Sequence, residues 1–460
     1  MHLWRQIQNQ WNIRNFYRED NNILNPRIAA HNLGHEGNIL RYEFPLMQWS
    51  IAQIQRLFGE SIIVTRVSMF IIGCFGIAGF YILIHLLFRD RILAAAGAWM
   101  LNFSPLFYYY SMNPMSDIPA MACQIWMLVF AIKFYQNQKS GSLIWSALFF
   151  CLAGLFKLPY ALFGVVPLTA AGLIYWQQRR SLIFLIQSIL ILIIFSIPVM
   201  AWYTYAIRSW QSMGVLQGIF AMEDKTPLWH FFRFHLLNWL PGYLINPAAF
   251  VFFTVALIAL VRNRLKISGL HILIVSGALA GLVYYIYELN MISTVHDYYM
   301  LPFLTGIYLL VVYGLHRTPR KMLYLPVTVF LLLSMPVLAF NKINDYFYHI
   351  DRNGYNPDWF IFSDSLKQAV PQDSLCIFLN DNTGVVLPYK VDKQGYVFDQ
   401  DDLPLLWIED MIINRGVKYM YSDSRKIDSS QAVQSMLDTL ILRQGSVKVF
   451  RLAKPDQIKK

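Results

Sequence analysis

Four short stretches of this 460-residue chain gather side chains that can move protons or hold anions. In RYEFPLMQW (41–49), Glu43 stands just before Pro45 among aromatic residues. A carboxylate in so apolar a setting is desolvated, which raises its pKa unless a cation such as Arg41 offsets the burial; it could act as a base or a metal ligand, or simply pair with an arginine. In NPMSDIPAM (113–121), Asp117 precedes Pro119 at the start of an apolar run, a pattern that suits a helix N-cap. Carboxylates at the mouth of a membrane segment are costly and often functional, and the two roles are compatible. LFKLPYAL (155–162) carries Lys157 in a connection of barely two residues, where it either snorkels or meets an anion. TVHDYYMLP (294–302) brings His296, Asp297, Tyr298 and Tyr299 together. Tyrosines at such a place form an aromatic belt, and the adjacent His and Asp suit a ligand or pyrophosphate contact.

The first 60 residues add Arg5, Arg14, Arg18, Arg27, Arg41 and Arg56 without a lysine. Guanidinium forks bind phosphate oxygens in pairs, and they also snorkel to lipid head groups. HNLGHE (31–36) spaces His31 and His35 four apart beside Glu36. On a helix that spacing could bind a metal, but Gly34 and the neighbouring Pro26 point to a loop.

What must position these groups is a bilayer-embedded body. The chain is 56% hydrophobic, 16% aromatic and only 14% charged, too little polar surface for a soluble domain of this size. Apolar runs predict ten spans, at 67–87, 92–110, 117–135, 142–156, 158–177, 182–206, 246–262, 270–287, 299–315 and 322–340. Alternate connections carry Arg89, Arg91, Lys133, Lys139, Arg179, Arg180, Arg262, Arg264, Lys266, Arg317, Arg320 and Lys321, with Asp90 as their one acid. Their excess equals the whole formal charge of +11, so the basic balance expresses topology and not a nucleic-acid footprint.

That parity places residues 1–66, the connection 207–245, the loop 288–298 and the tail after Phe340 outside the cytoplasm, with all the candidate residues on one face. A chain that starts outside with a polar stretch implies an upstream span missing from this sequence. The domains expected are thus 1–66, a first extracytoplasmic loop; 67–340, a transmembrane body; and 341–460, an extracytoplasmic α/β domain. In the last, SLCIFLND (374–381), VKYMYSD (417–423) and SVKVFRLA (446–453) read as strands. LPLLWIEDMIINRG (403–416) and SQAVQSMLDTLILRQG (430–445) read as amphipathic helices ending at Gly416 and Gly445. No GxGxxG cluster marks a nucleotide fold. Cys74, Cys123, Cys151 and Cys376 read as buried small hydrophobes and not as a disulfide framework.

The order of EFPLMQWSIAQIQRLFGESIIVTRV, SPLFYYYSMNPMSDIPAM, LAGLFKLPYAL and HDYYMLPF over roughly residues 4–310 resembles the GT-C glycosyltransferases, in particular bacterial relatives of protein O-mannosyltransferases and lipid A aminoarabinose transferases. The resemblance implies a mainly α, polytopic helical membrane protein in the bacterial inner membrane. It implies transfer of a sugar, with inversion, from a polyprenyl-phosphate donor to a lipid, glycan or protein hydroxyl. A carboxylate would take the acceptor proton, while cations or a divalent metal ion would stabilise the departing phosphate. By position Asp117 resembles the family's acid at the mouth of the third span, Lys157 its cation after the LAGLFK run, and Glu43 the polar position of the first-loop (E)xPL element. Arg5, Gln8, Arg14, Arg41, Lys157, His296, Asp297, Tyr298 and Tyr299 are the expected substrate contacts. WRQIQNQWNIRNFY resembles the first-loop helix that carries the family's catalytic acid, yet the corresponding residue here is Gln8, and an amide cannot serve as a base. Either Glu43 or Asp117 then takes the role, or the chemistry is altered. The other classes this sequence fits are a lipid-linked sugar flippase and a catalytically degenerate membrane scaffold; a transporter would place polar groups at mid-span, whereas these gather at one mouth.

Overall fold

The structure, a computed structural model, describes residues 3–33, 37–208, 217–262, 268–318, 324–347, 355–399 and 403–458. His35, Glu36, Arg264, Lys266, Arg320 and Lys321 lie outside them. The chain forms two compact units, one of Tyr42–Tyr348 and one of Met1–Arg41 with His349–Lys460. The stretch 1–66, expected as a single outer loop, therefore contributes to both.

In the helical unit seven helices of the described residues are long and apolar enough to cross a membrane: Ile62–Phe88, Asp117–Asn137, Leu158–Gln177, Leu182–Ile207, Gly269–Ile292, Asp297–Arg317 and Leu325–Phe347. An eighth is possible if Thr226–Leu244 and Pro247–Arg262, bent by 119°, form one broken span. By length and composition these are fewer helices than the ten expected apolar runs, and local chemistry explains where run and helix part. The run 92–110 breaks into Arg91–Asn102 and Pro105–Tyr110, because Pro105 offers no backbone donor and holds Ser104 extended (φ −59°, ψ 123°). The helix over the run 142–156, Ser140–Phe156, has 17 residues and falls short on length. Within the long connection 207–245, residues 226–244 are helical.

Burial sorts these helices. The most apolar window of Asp117–Asn137 is 72% buried within the protein and that of Leu182–Ile207 only 11%, so the first is the hub and the second faces outward, as expected where lipid is the solvent. Small residues let the hub be approached closely: a Cβ placed on Gly76 would lie 3.2 Å from the Cβ of Ala122. Cys123 and Cys151 are buried as expected, but Cys74 is exposed, on the outer face of Ile62–Phe88.

The other unit is built on a five-stranded sheet in the order β2-β1-β3-β5-β4. Its strands are β1 (Leu375–Leu379), β2 (Gln394–Phe398), β3 (Tyr419–Ser422), β4 (Leu437–Gln444) and β5 (Val447–Leu452). β1 runs parallel to β2 and β3, whereas β5 is antiparallel to β3 and β4. The expected strands contain β1, β3 and β5, and the expected helix 403–416 contains Leu405–Ile413. The expected helix 430–445 is helical only at Gln431–Gln434; its remainder is β4, an edge strand turned back by Gly445 at φ 57°. Gly445 does adopt the left-handed conformation, but in a hairpin and not in a helix cap. The helix Leu3–Arg18 packs Ile7 and Trp11 on Ala29, Val385 and Val386, which joins the start of the chain to its end.

Candidate active site

Glu43 is fixed by its neighbours' backbone. Phe44 N–H donates to the Leu155 carbonyl (3.0 Å), and Trp202 Nε1–H donates to the Tyr42 carbonyl (3.1 Å) while its ring meets Phe44 at 5.0 Å. Pro45 then opens the helix Leu46–Phe58. These ties hold the Glu43 carboxylate at the end of Ser140–Phe156, beside Lys157.

Lys157 is itself the joint between two helices, at φ −160° and ψ 116°, so the break is one residue and tighter than the connection of two expected. Its ammonium lies 3.2 Å from Glu43 Oε1 and 3.2 Å from Asp117 Oδ2. Side-chain exposures of 6%, 12% and 2% for Lys157, Glu43 and Asp117 make this a buried charge cluster. The anion Lys157 meets is thus the protein's own carboxylates, and a cation that faces Glu43 is Lys157. Asp117 is the first residue of its helix and not the cap, which is Ser116. There it gains from the positive end of the helix dipole while its carboxylate faces Lys157. Tyr160 O–H donates to the Asp117 carbonyl (3.3 Å) and closes the arrangement from the next helix.

The HDYY stretch completes the wall. The Lys157 ammonium lies 4.7 Å from the Tyr299 ring centre and 5.2 Å from that of Tyr298, within cation–π range. Asp297, fully buried, accepts from Tyr110 O–H at 2.6 Å, and Tyr284 O–H donates to the Tyr299 carbonyl (3.3 Å). His296 Nδ1 bonds the Met291 carbonyl (2.7 Å), a partner that only an N–H can serve, so a neutral ring carries its lone pair on Nε2. Its ring lies 5.8 Å from Tyr298 and 5.9 Å from Tyr299.

Glu288 was missed by the sequence reading. It sits near the end of Gly269–Ile292, half-buried, and feels the charge of Lys157. The available signal was a lone acid closing the run YYIYELN, which instead reads as the tail of a span.

The other expected residues lie in the second unit. Gln8, on the helix Leu3–Arg18, accepts from Arg5 Nη1 at 2.6 Å. Arg14 binds Asp392 Oδ1 (2.7 Å) and lies over the rings of Trp11 and Tyr389. Arg41 donates to the Leu24 carbonyl (2.9 Å) and to Asn25 Oδ1 (3.1 Å). Arg18 joins Arg14 on Asp392, Arg27 pairs with Asp20, and Arg56 is exposed in the helical unit. His31 stands in a turn, hydrogen-bonded to Gln394 Oε1. Among the described residues no three His, Cys, Asp or Glu side chains converge as metal ligands, and an ammonium fills the place between Glu43 and Asp117 that a divalent ion would take. The donor set does not fit a metal ion.

A hub helix whose mouth presents a buried Lys–carboxylate cluster, inside a polytopic helical body, defines a class, and comparison with solved structures names it: the fold is that of the GT-C glycosyltransferases. ArnT from Cupriavidus metallidurans bound to undecaprenyl phosphate superposes with a TM-score of 0.64 at 13% identity, covering 97% of this chain and 93% of that one. The archaeal oligosaccharyltransferase AglB from Archaeoglobus fulgidus, in complex with an inhibitory peptide and a dolichol-phosphate, gives 0.54 at 11% identity over 91% of this chain and 65% of that one. Arabinofuranosyltransferase AftD from Mycobacteria gives 0.53 at 13% identity over 96% and 39%. Residues 43–202, which include Glu43, Asp117 and Lys157, match the family of dolichyl-phosphate-mannose-protein mannosyltransferases. A search of curated protein sequences finds no match.

Proposed function

We propose that this protein is an integral-membrane glycosyltransferase that passes a sugar, with inversion, from a polyprenyl-phosphate donor to a hydroxyl of a lipid, glycan or protein, on the extracytoplasmic side of a bacterial inner membrane. The observation that carries the reading is Lys157 bridging Glu43 and Asp117 inside the GT-C fold. The undecaprenyl phosphate on ArnT and the dolichol-phosphate on AglB support a lipid-phosphate donor, and the basic connections support the sidedness.

In this reading the acceptor oxygen attacks the anomeric carbon on the face opposite the phosphate. The new C–O bond forms as the old one breaks, the phosphate leaves with the electron pair, and the acceptor proton passes to a carboxylate. Glu43, at 12% exposure, is the carboxylate a hydroxyl can reach, whereas Asp117, at 2%, holds Lys157 in place. Protonation of Glu43 weakens its hold on Lys157 and frees that charge to face the phosphate as it departs. Arg5, Gln8, Arg14, Arg41, His296, Asp297, Tyr298 and Tyr299 are proposed substrate contacts.

The test incubates the purified protein with radiolabelled polyprenyl-phosphate sugar and a panel of acceptors, with Glu43→Gln and Asp117→Asn beside it. Label moves to an acceptor in the parent, far more slowly in Glu43→Gln and more slowly in Asp117→Asn. Equal turnover in all three would remove the site assignment. Movement of label across proteoliposomes without transfer would make the protein a flippase.

A further inference from the structure

The unit formed by the two ends of the chain holds a cavity of about 380 Å³, inside the range of roughly 300–1,000 Å³ usual for small-ligand sites. One wall is the edge strand β2, stiffened by the segment 29–32. Gly395 N–H donates to the Ala29 carbonyl (3.1 Å), His31 N–H donates to the Gly395 carbonyl (2.8 Å), and the Asn32 amide takes both backbone groups of Val397 at 2.7 and 3.0 Å. The other wall is the helix Leu405–Ile413, where the spacing of three between Trp407 and Asp410 puts both on one face.

What lines the cavity is specific. The Tyr396 ring is buried, with the His31 ring 5.8 Å away and the Arg415 guanidinium 5.4 Å from its centre. Trp407 meets Phe398 edge-on at 6.1 Å yet leaves 53% of its surface open, a large apolar ring that the fold holds without covering. Asp410 binds Arg415 Nε at 2.7 Å and Asn414 Nδ2 at 2.8 Å. One acid thus answers one base. Burial holds the His31 pKa below its ordinary value, so that ring adds no charge at neutral pH. A pocket of zero net charge exerts no net pull on a phosphate, and the Arg415 guanidinium on its rim opposes a quaternary ammonium. An open aromatic face beside a planar charged rim suits a neutral ring with C–H groups on one face and hydroxyls around its edge.

We propose that this cavity binds a neutral pyranose unit of a glycan, with Trp407 as its stacking floor and the Asp410–Arg415 pair as its hydroxyl anchor. The transferase reading supplies only the origin of the sugar, from acceptor or from donor, and the binding itself needs neither Glu43 nor Asp117.

The experiment is saturation-transfer NMR on the full-length protein in detergent. Its probes are methyl glycosides of glucose, galactose, mannose and N-acetylglucosamine, with inorganic phosphate and choline as charged controls. At least one glycoside binds with a Kd of about 1 mM or tighter; Trp407→Ala and Arg415→Ala each weaken it by about tenfold or more, and Trp407→Phe restores most of it. Glu43→Gln, which removes the proton acceptor of the proposed transfer, leaves this binding intact, so the two readings fail separately. Displacement by the polyprenyl-phosphate sugar identifies the donor as the source of the pyranose, and displacement by an acceptor glycan identifies the acceptor. Absence of glycoside binding, equal binding in Trp407→Ala, or preference for phosphate or choline would overturn the proposal.

Discussion

Lys157 Nζ and Asp117 Oδ2 stand 3.2 Å apart in the interior of the helical unit, joined by Glu43 at the same distance from the same ammonium. Two carboxylates on one cation are tolerable out of water only while the cation stays. Lys157→Met therefore leaves two like charges buried side by side, a loss of about 3–5 kcal/mol. Thermal unfolding in detergent should show a large fall for Lys157→Met and partial recovery when Asp117→Asn is added. A single variant as stable as the parent would mean that the charges are solvated.

The two carboxylates should separate kinetically. Glu43→Gln, which removes the proton acceptor, should lower kcat by roughly 10²–10⁴ with little change in KM, and the acid limb of the pH–rate profile should vanish with it. Asp117→Asn, which loosens Lys157, should lower kcat by less and keep that limb. The reverse pattern would exchange the roles.

Much of this site was legible because each motif is short and local. Glu43, Asp117, Lys157 and the HDYY stretch stood out as polar residues in apolar surroundings, and the helical unit brings them to one place. Their partners were less legible. That Glu43 meets Lys157 depends on a backbone bond from Phe44 to Leu155, a tie between distant positions that periodicity does not encode. In β4, Leu437, Leu440 and Ile441 have helix-like spacing, and only pairing with β5 through the turn at Gly445 makes a strand of them. β2 went unread because its start, Gln394-Gly395, looks like a turn; Gly395 is needed because a Cβ there would collide with the backbone of Cys376.

In the second unit Asp392 accepts Arg14 (2.7 Å), Arg18 (3.0 Å) and Lys367 (3.1 Å). Burial alone would raise its pKa, but Arg14 and Arg18, with Lys367, outweigh it and hold the carboxyl below its ordinary 3.8. A lowered folded-state pKa means stability that is complete above the unfolded value and disappears as pH falls through the folded one. Asp392→Asn isolates the charge, since Asn tolerates the residue's φ of 52°. At pH 7 the variant should be less stable by about 1–3 kcal/mol. Unfolding followed from pH 7 downward should show parent and variant converging below about pH 4. A constant gap at every pH would assign the effect to packing.

The last prediction concerns the hub. Gly76 on Ile62–Phe88 faces Ala122 on Asp117–Asn137 so closely that an added Cβ would lie 3.2 Å from the Ala122 Cβ and 3.4 Å from its Cα. Helices that meet through small residues have no hydrophobic drive to re-pack around a larger one, because lipid is as apolar as their own side chains. Gly76→Leu should therefore cost about 1–3 kcal/mol in overpacking and, because the hub carries Asp117 at its first turn, should lower turnover as well. The pair Gly76→Ala with Ala122→Gly moves one methyl across the interface at constant volume. That double variant should keep both the melting temperature and the activity of the parent, whereas Gly76→Ala alone lowers the first. Comparing the melting curves with the transfer assay checks the mechanism: if Gly76→Leu unfolds like the parent, the close approach of these two helices is not what positions the carboxylate.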